Sequence, residues 1–347
     1  MRNDKFNNYF MNEIALKETV SAIFSSNRGI LATDATADTM DKRMTASETA
    51  PTPELRVKFR EVLLTTPGIS EFIGGVILND EIIRAKTSGG ENFFDLLDKQ
   101  GIKVGIKLDK KTHDMANFPG EKIAEGLDGL RDRLKEYKDM KASFAKFRTV
   151  YLINDTTPSQ ANIESNSEVL ARYAALCQEA GIVPIVEPEV LMDGSHAMER
   201  CMEVTTAVLR NTFFYLNKHK VSLAGMILKP NMVLPGKDHH SPLSDNEVAI
   251  TTLEVLKRAV PAEVPVIAFL SGGQEAKFAT ARINEMVKLG NVPWQLSFSF
   301  ERALEGPALD IWKGLDSNIE SAQKEFFKRA KLNSIARMGQ YDPSMES

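Results

Sequence analysis

Residues 170–189 read LARYAALCQEAGIVPIVEPE, and this stretch contains the repeating unit of the fold. Leu170, Tyr173, Ala174 and Cys177 recur at three- and four-residue spacing, which predicts one buried face of a helix, and Gly181 follows as a C-terminal stop. Directly after it, Val183–Glu189 forms a short apolar run that predicts a strand, with two carboxylates at its far end. Seven further runs of this kind flank it: Gly29–Asp34, Phe72–Leu78, Lys103–Asp109, Phe144–Ile153, Leu223–Pro230, Val264–Ser271 and Trp294–Phe300. Their starts fall roughly 30–45 residues apart, which leaves room for a helix in each gap. Near-continuous apolar runs suit parallel strands covered on their outer face.

The gaps themselves have helical patterning. Cys201, Val204, Val208 and Leu209 share one face, continued by Thr212, Tyr215 and Leu216. Ser244 with Glu247 predicts a capping box, and Ile319, Ala322, Phe326 and Ala330 form a stripe after the eighth run. No low-complexity linker or shift in composition divides the chain. Residues 1–347 are therefore expected to form a single-domain (β/α)8 TIM barrel of the α/β class. Residues 1–27 supply an N-terminal helical segment and 305–347 a C-terminal helical segment with a short tail. A doubly wound open sheet is the competing arrangement.

Composition narrows the function classes. The 347 residues are 43% hydrophobic and 26% charged, with a formal net charge of −4. That balance gives no global attraction for nucleic acid or an anionic membrane, so neither is expected as a partner. Cys177 and Cys201 have no metal-ligand spacing, and two isolated thiols suit a reducing compartment. The sequence shows no signal peptide and no window apolar enough for a membrane span, so a cytoplasmic protein is expected.

Charges occur where barrel strands should be apolar. Asp34, Lys107, Lys146, Arg148, Glu187, Glu189 and Lys229 lie near strand C-termini, where barrel enzymes carry their sites. Side chains two residues apart share a face, so Lys146 points with Arg148, Glu187 with Glu189, and Lys229 with Ile227. Ile102, Val104, Ile106 and Leu108 make the other face of the third strand apolar, which turns Lys107 inward. Buried charges are costly unless paired, so so many together point to function. An amine becomes a nucleophile when a nearby cation or desolvation frees its lone pair. Forming an imine also needs an acid that gives and takes protons, and the Glu187–Glu189 pair offers one. The pattern points to amine catalysis on a carbonyl compound.

Ser271-Gly272-Gly273 after the seventh run, with Ser299 and Arg302 after the eighth, suit a phosphate site at its usual place in this fold. The string LSGGQ (270–274) also occurs in ABC-type ATPases, but no phosphate-binding loop accompanies it. No dinucleotide fingerprint occurs, and His239 and His240 sit in a polar loop beside Pro242, outside any metal-binding pattern. Neither cofactor nor catalytic metal is expected.

The segments GIVPIVEPEVLMDG, LKPNMVLPG, FLSGGQ, EGLDGLRDR and VLARYAALCQ, in their order, resemble class I fructose-1,6-bisphosphate aldolase from about Phe10 to Tyr341. The resemblance implies a (β/α)8 barrel and a metal-independent lyase of glycolysis and gluconeogenesis. It cleaves fructose 1,6-bisphosphate to dihydroxyacetone phosphate and glyceraldehyde 3-phosphate. Lys229 matches the Schiff-base lysine, and Glu187 the proton shuttle, with Glu189 in its network. Lys146 matches the lysine that keeps the site positive, and Asp34 the carboxylate for the C4 hydroxyl proton. Ser271, Gly272, Gly273, Ser299 and Arg302 match one phosphate site. Thr36, Thr39, Lys42, Arg43, Lys107 and Arg148 match the other end of the sugar. A homotetramer is implied as well.

Three departures stand out. Ala35 and Asp38 redistribute acidic charge after the first strand, and Glu301 stands where a glycine is usual. The sequence also ends at Ser347, soon after Tyr341, without the terminal tyrosine that many members carry. Protonation of the enamine is accordingly expected to fall to water or to Glu187. Related ketose phosphates, such as fructose 1-phosphate and sedoheptulose bisphosphate, are alternative substrates. A non-catalytic binding role on the same barrel is the alternative of a different class.

Overall fold

The computed structural model describes residues 2–240 and 243–347; Met1, and Pro242 of the expected polar loop, lie outside the described residues. Eight parallel strands close into a barrel: β1 (Gly29–Ala32), β2 (Ile73–Leu78), β3 (Lys103–Lys107), β4 (Ala142–Tyr151), β5 (Val183–Val190), β6 (Ile227–Leu228), β7 (Val266–Phe269) and β8 (Gln295–Phe300). Each pairs with its sequence neighbours, and β8 closes on β1 through Ile30 opposite Ser299. Closure excludes the open sheet.

Alternation along the strands divides the core in two. Ile30, Ile77, Phe144, Val183, Ile185, Ile227 and Val266 fill the barrel interior. Leu16, Val20, Ile23 and Phe24 of the N-terminal helix (Arg2–Phe24) join that cluster and plug the bottom. Phe144 needs glycine opposite it: a Cβ on Gly75 would lie 3.0 Å from its ring, and one on Gly105 closer still. Outside the barrel, Ile102, Val104, Ile106 and Leu108 pack in the cluster that holds the helices. The expected inward turn of Lys107 follows.

Local signals hold too. The helix Gln160–Glu179 buries Leu170, Tyr173, Ala174 and Cys177 and is followed by Gly181 at φ +69°. Ser244 and Glu247 form the capping box at Asp245–Ala259. Helices Met198–Lys218 and Ile319–Ala336 carry the remaining stripes, although Tyr215 and Ile319 sit at their half-buried margins. Cys177 and Cys201 are buried free thiols.

Three expectations are corrected. The run Leu223–Pro230 contains only two strand residues, because Leu223–Gly225 tightens into a 3-10 turn against the N-terminal helix, where a Cβ on Gly225 would lie 3.1 Å from Leu16. Asp34 and Asp109 lie beyond the ends of β1 and β3. A small antiparallel hairpin, Thr112–Asp114 with Lys122–Ala124, interrupts the β3–β4 connection and was not expected. Hydrogen bonding nevertheless continues past the shortened strands. Lys229 N–H donates to Val186 O at 2.9 Å, and Thr33 N–H to Ile77 O at 3.1 Å. The charged residues at the mouth are thus held by barrel backbone.

Candidate active site

At the C-terminal face the strands open into a cavity of about 640 Å³. Asp34 lies two residues past β1, Lys107 ends β3, and Lys146 and Arg148 come from β4. Glu187 and Glu189 come from β5, and Lys229 follows β6. Helix Ala37–Ala46 and its N-cap Thr36 bring Thr36, Thr39, Lys42 and Arg43 to the same wall. Ser271, Gly272, Ser299 and Arg302 complete it. Gly273 stands just behind, where a Cβ would lie 3.1 Å from Arg302 Nη1. The structure therefore brings every sequence-predicted site residue to one place.

The centre is a chain of alternating charges. Lys229 Nζ lies 3.0 Å from Glu187 Oε1, and Lys146 Nζ lies 3.4 Å from Glu187 Oε2. Lys146 Nζ also reaches Asp34 Oδ2 at 2.5 Å. All four side chains are buried, which strengthens every charge–charge term among them. Burial pushes the Asp34 carboxyl up, but Lys146, Lys229 and Lys107 outweigh it and hold the group below the usual range. Burial pulls the Lys146 ammonium down, but Asp34, Glu187 and Asp109 hold it above the usual lysine range. Lys146 is therefore a fixed positive charge beside the Lys229 amine.

Around this centre most cations are already matched. Arg148 pairs with Glu189, and Glu189, Glu187 and Asp109 overcome burial to raise its guanidinium. Lys107 Nζ meets Asp109 Oδ1 at 2.5 Å, and Lys111 meets Asp38 at 2.5 Å. Arg43 Nη1 lies 3.0 Å from Glu301 and 3.1 Å from Glu305. Glu305 is almost fully buried and accepts a hydrogen bond from Thr33 Oγ1 at 2.8 Å. Burial pushes its carboxyl up. Sequence reasoning did not assign Asp109, Lys111 or Glu305 to the site. Asp109 closes an apolar run and Glu305 lies inside a helix, whereas nothing local marks Lys111.

Beside β7 and β8 the wall changes character. Gly272 and Gly273 take φ of +60° and +96°, which turns the backbone sharply at the mouth. Ser299 Oγ is buried and has no hydrogen-bond partner among the described residues. Arg302 opens the helix Arg302–Trp312 and makes no ion pair among the described residues. A helix N-terminus, an unpaired guanidinium, an unpartnered hydroxyl and glycine backbone together suit a phosphate.

The other sequence signals settle into structure. Gln274 of the LSGGQ string is buried, donates to Ser271 O at 2.9 Å and accepts from Arg282 at 2.6 Å, so the string is a braced turn. His239 approaches Ser195 O at 3.3 Å in an exposed loop. Among the described residues, no group of three or more His, Cys, Asp or Glu is arranged to hold a metal ion.

A closed (β/α)8 barrel with amines and carboxylates interleaved at its C-terminal face places the chain in the class of barrel enzymes. The family described as fructose-bisphosphate aldolase class-I matches residues 15–347, and the chain belongs to that family. A probable class 1 fructose-bisphosphate aldolase of Xanthomonas axonopodis pv. citri is 48% identical over 94% of this chain and 98% of its own length. Cytosolic fructose-bisphosphate aldolase 4 of Arabidopsis thaliana is 45% identical over 92% of this chain and 81% of its own. Among solved structures, fructose-bisphosphate aldolase of Plasmodium falciparum, in complex with TRAP and a small-molecule inhibitor, superposes with a TM-score of 0.93. It is 38% identical over 95% of this chain and 96% of that one.

Proposed function

We infer that this chain is a lyase that reversibly cleaves fructose 1,6-bisphosphate to dihydroxyacetone phosphate and glyceraldehyde 3-phosphate through a Schiff base on Lys229. The observation that carries the reading is the Glu187 carboxylate held between two amines, Lys229 at 3.0 Å and Lys146 at 3.4 Å, in a buried barrel mouth. Lys229 attacks C2 of the open-chain ketose. Glu187 protonates the carbinolamine hydroxyl, which leaves as water and yields the iminium. Lys146 stays charged and holds the second oxygen of the Glu187 carboxylate, fixing that acid beside the Lys229 amine.

Asp34 is held ionised and takes the C4 hydroxyl proton as the C3–C4 bond breaks. The bonding pair moves into the iminium and forms an enamine. Glyceraldehyde 3-phosphate departs, C3 is protonated, and hydrolysis of the imine releases dihydroxyacetone phosphate. In this reading the C1 phosphate goes to Ser271, Gly272, Gly273, Ser299 and Arg302, a wall whose unpaired guanidinium and glycine backbone suit an anion. The chain beyond C3 crosses the mouth toward Thr36, Thr39, Lys42, Arg43, Lys107 and Arg148.

A cytoplasmic homotetramer acting in glycolysis and gluconeogenesis belongs to the same reading. The cytosolic Arabidopsis relative supports the compartment, and no described helix is long and apolar enough to cross a membrane. Phe214 and Leu315, 57% and 54% exposed on the outer surface, offer apolar contacts for neighbouring subunits. The deciding experiment is the rate of cleavage of fructose 1,6-bisphosphate, fructose 1-phosphate and sedoheptulose bisphosphate, with and without chelator. No cleavage of any of them overturns the reading.

A further inference from the structure

Carboxylates interleave with the cations of the cavity. Among its described lining residues, Lys42 and Arg302 make no ion pair, while Arg43, Lys107, Lys111, Lys146, Arg148 and Lys229 each face an acid. The Arg43 pairing differs from the others in one respect: it has two acids of unequal standing. Glu305 is 2% exposed at its side chain and anchored by Thr33, whereas Glu301 is 26% exposed and lines the cavity. Glu301 immediately precedes Arg302 in sequence, and its carboxylate reaches Arg43 Nη1 at 3.0 Å at the cavity wall. A carboxylate held there is an internal anion on a guanidinium that a ligand's phosphate would otherwise meet.

We propose that Glu301 is a specificity-determining residue, which holds Arg43 in an ion pair that the second phosphate of a bisphosphorylated sugar must break. The proposal rests on the aldolase reading above. A ketose 1-phosphate fills the Ser271–Gly272–Arg302 wall and leaves the Glu301–Arg43 pair intact. A bisphosphate brings its far phosphate into competition with Glu301 for the same guanidinium. Glu305 would keep Arg43 in place if Glu301 lost its charge, so neutralising Glu301 releases charge without releasing position.

The test is steady-state kinetics of wild type, Glu301→Gln, Arg43→Ala and the double variant on fructose 1,6-bisphosphate and fructose 1-phosphate. Glu301→Gln should lower KM for the bisphosphate about tenfold, the scale of a partly buried ion pair. Its kcat should stay within about twofold of wild type. KM for fructose 1-phosphate should not move, and Arg43→Ala should erase the gain in the double variant. Melting temperatures check folding, with Glu301→Ala as a second variant. A bisphosphate KM that is unchanged or raised, an equal fall for both sugars, or a gain that survives Arg43→Ala would overturn the proposal. A wild type that cleaves neither sugar would overturn the aldolase reading, and the proposal with it.

Discussion

The Lys229 amine and the Glu187 carboxylate stand 3.0 Å apart, and the second oxygen of that carboxylate faces Lys146 at 3.4 Å. One acid therefore serves two amines from adjoining regions of the barrel wall. A proton on Glu187 can be delivered to the atom bonded to Lys229 while the Lys146 charge stays fixed. Borohydride added with dihydroxyacetone phosphate should inactivate the protein and leave a reduced adduct on Lys229, found by peptide mass mapping. Activity should persist in EDTA, because the iminium is the electron sink. An adduct on another lysine would sink this assignment.

Replacing Glu187 by Gln keeps the shape and removes the proton transfer. Its kcat should fall by ~10²–10⁴-fold, the usual contribution of a placed acid or base. The borohydride adduct should form more slowly in proportion, because carbinolamine dehydration precedes it. An adduct that forms at the wild-type rate would move the shuttle to another residue.

Asp34 gives a pH prediction. Burial alone would raise its carboxyl, but Lys146 and the neighbouring lysines hold it below the unfolded value of ~3.9. A depressed folded value means that the Asp34–Lys146 attraction stabilises the fold above ~pH 3.9 and is lost as the pH falls through the folded value. At neutral pH, Asp34→Asn should cost about 3 kcal/mol, toward the lower end for a broken buried pair because Lys146 keeps Glu187. The denaturation midpoints of the two proteins should converge under acid. Catalytically, Asp34→Asn should lower kcat across neutral pH without shifting the acid limb. A shifted limb would show that Asp34 titrates there.

The parity of the strands made the centre of this site legible. Lys146 with Arg148, and Glu187 with Glu189, follow from period-two alternation, and the apolar face of Ile102–Leu108 fixed Lys107 by exclusion. Pairings between separate elements could not be read. Arg43 meets Glu301 and Glu305 across more than 250 residues of sequence, and nothing local distinguishes those glutamates from solvated ones. The two-residue length of β6 was hidden for a similar reason: LAGMILKP is apolar throughout, and contact with Leu16 decides where pairing begins. The hairpin at Thr112–Asp114 and Lys122–Ala124 is too short and too polar to alternate.

The two ends of the sugar should separate by mutation. Arg302→Ala removes the guanidinium at the glycine turn and should raise KM for every phosphorylated substrate. Arg148→Ala should act mainly on the bisphosphate. It also strands Glu189, a buried acid, so a stability loss of about 1–3 kcal/mol should accompany it. That range is discounted because the Arg148 side chain is 38% exposed. Equal effects of both changes on fructose 1-phosphate would reverse the assignment of the ends.

Tyr341 gives the last prediction. Its ring is buried at 4% exposure, its backbone N–H donates to Asn284 Oδ1 at 2.9 Å, and its hydroxyl donates to Glu346 Oε1 at 2.8 Å. Glu346 also pairs with the buried Arg329, and Tyr341 is not among the residues lining the cavity. Burial, reinforced by Glu346, raises the phenol above its usual range, so the hydroxyl stays protonated and bound at working pH. These contacts brace the last helix and carry no proton to a carbon on Lys229. Tyr341→Phe should therefore cost about 1.5–3 kcal/mol, the worth of a hydrogen bond to a charged group, read by denaturant unfolding. It should leave proton exchange at dihydroxyacetone phosphate at the wild-type rate. An exchange abolished by Tyr341→Phe alone would refute the structural role.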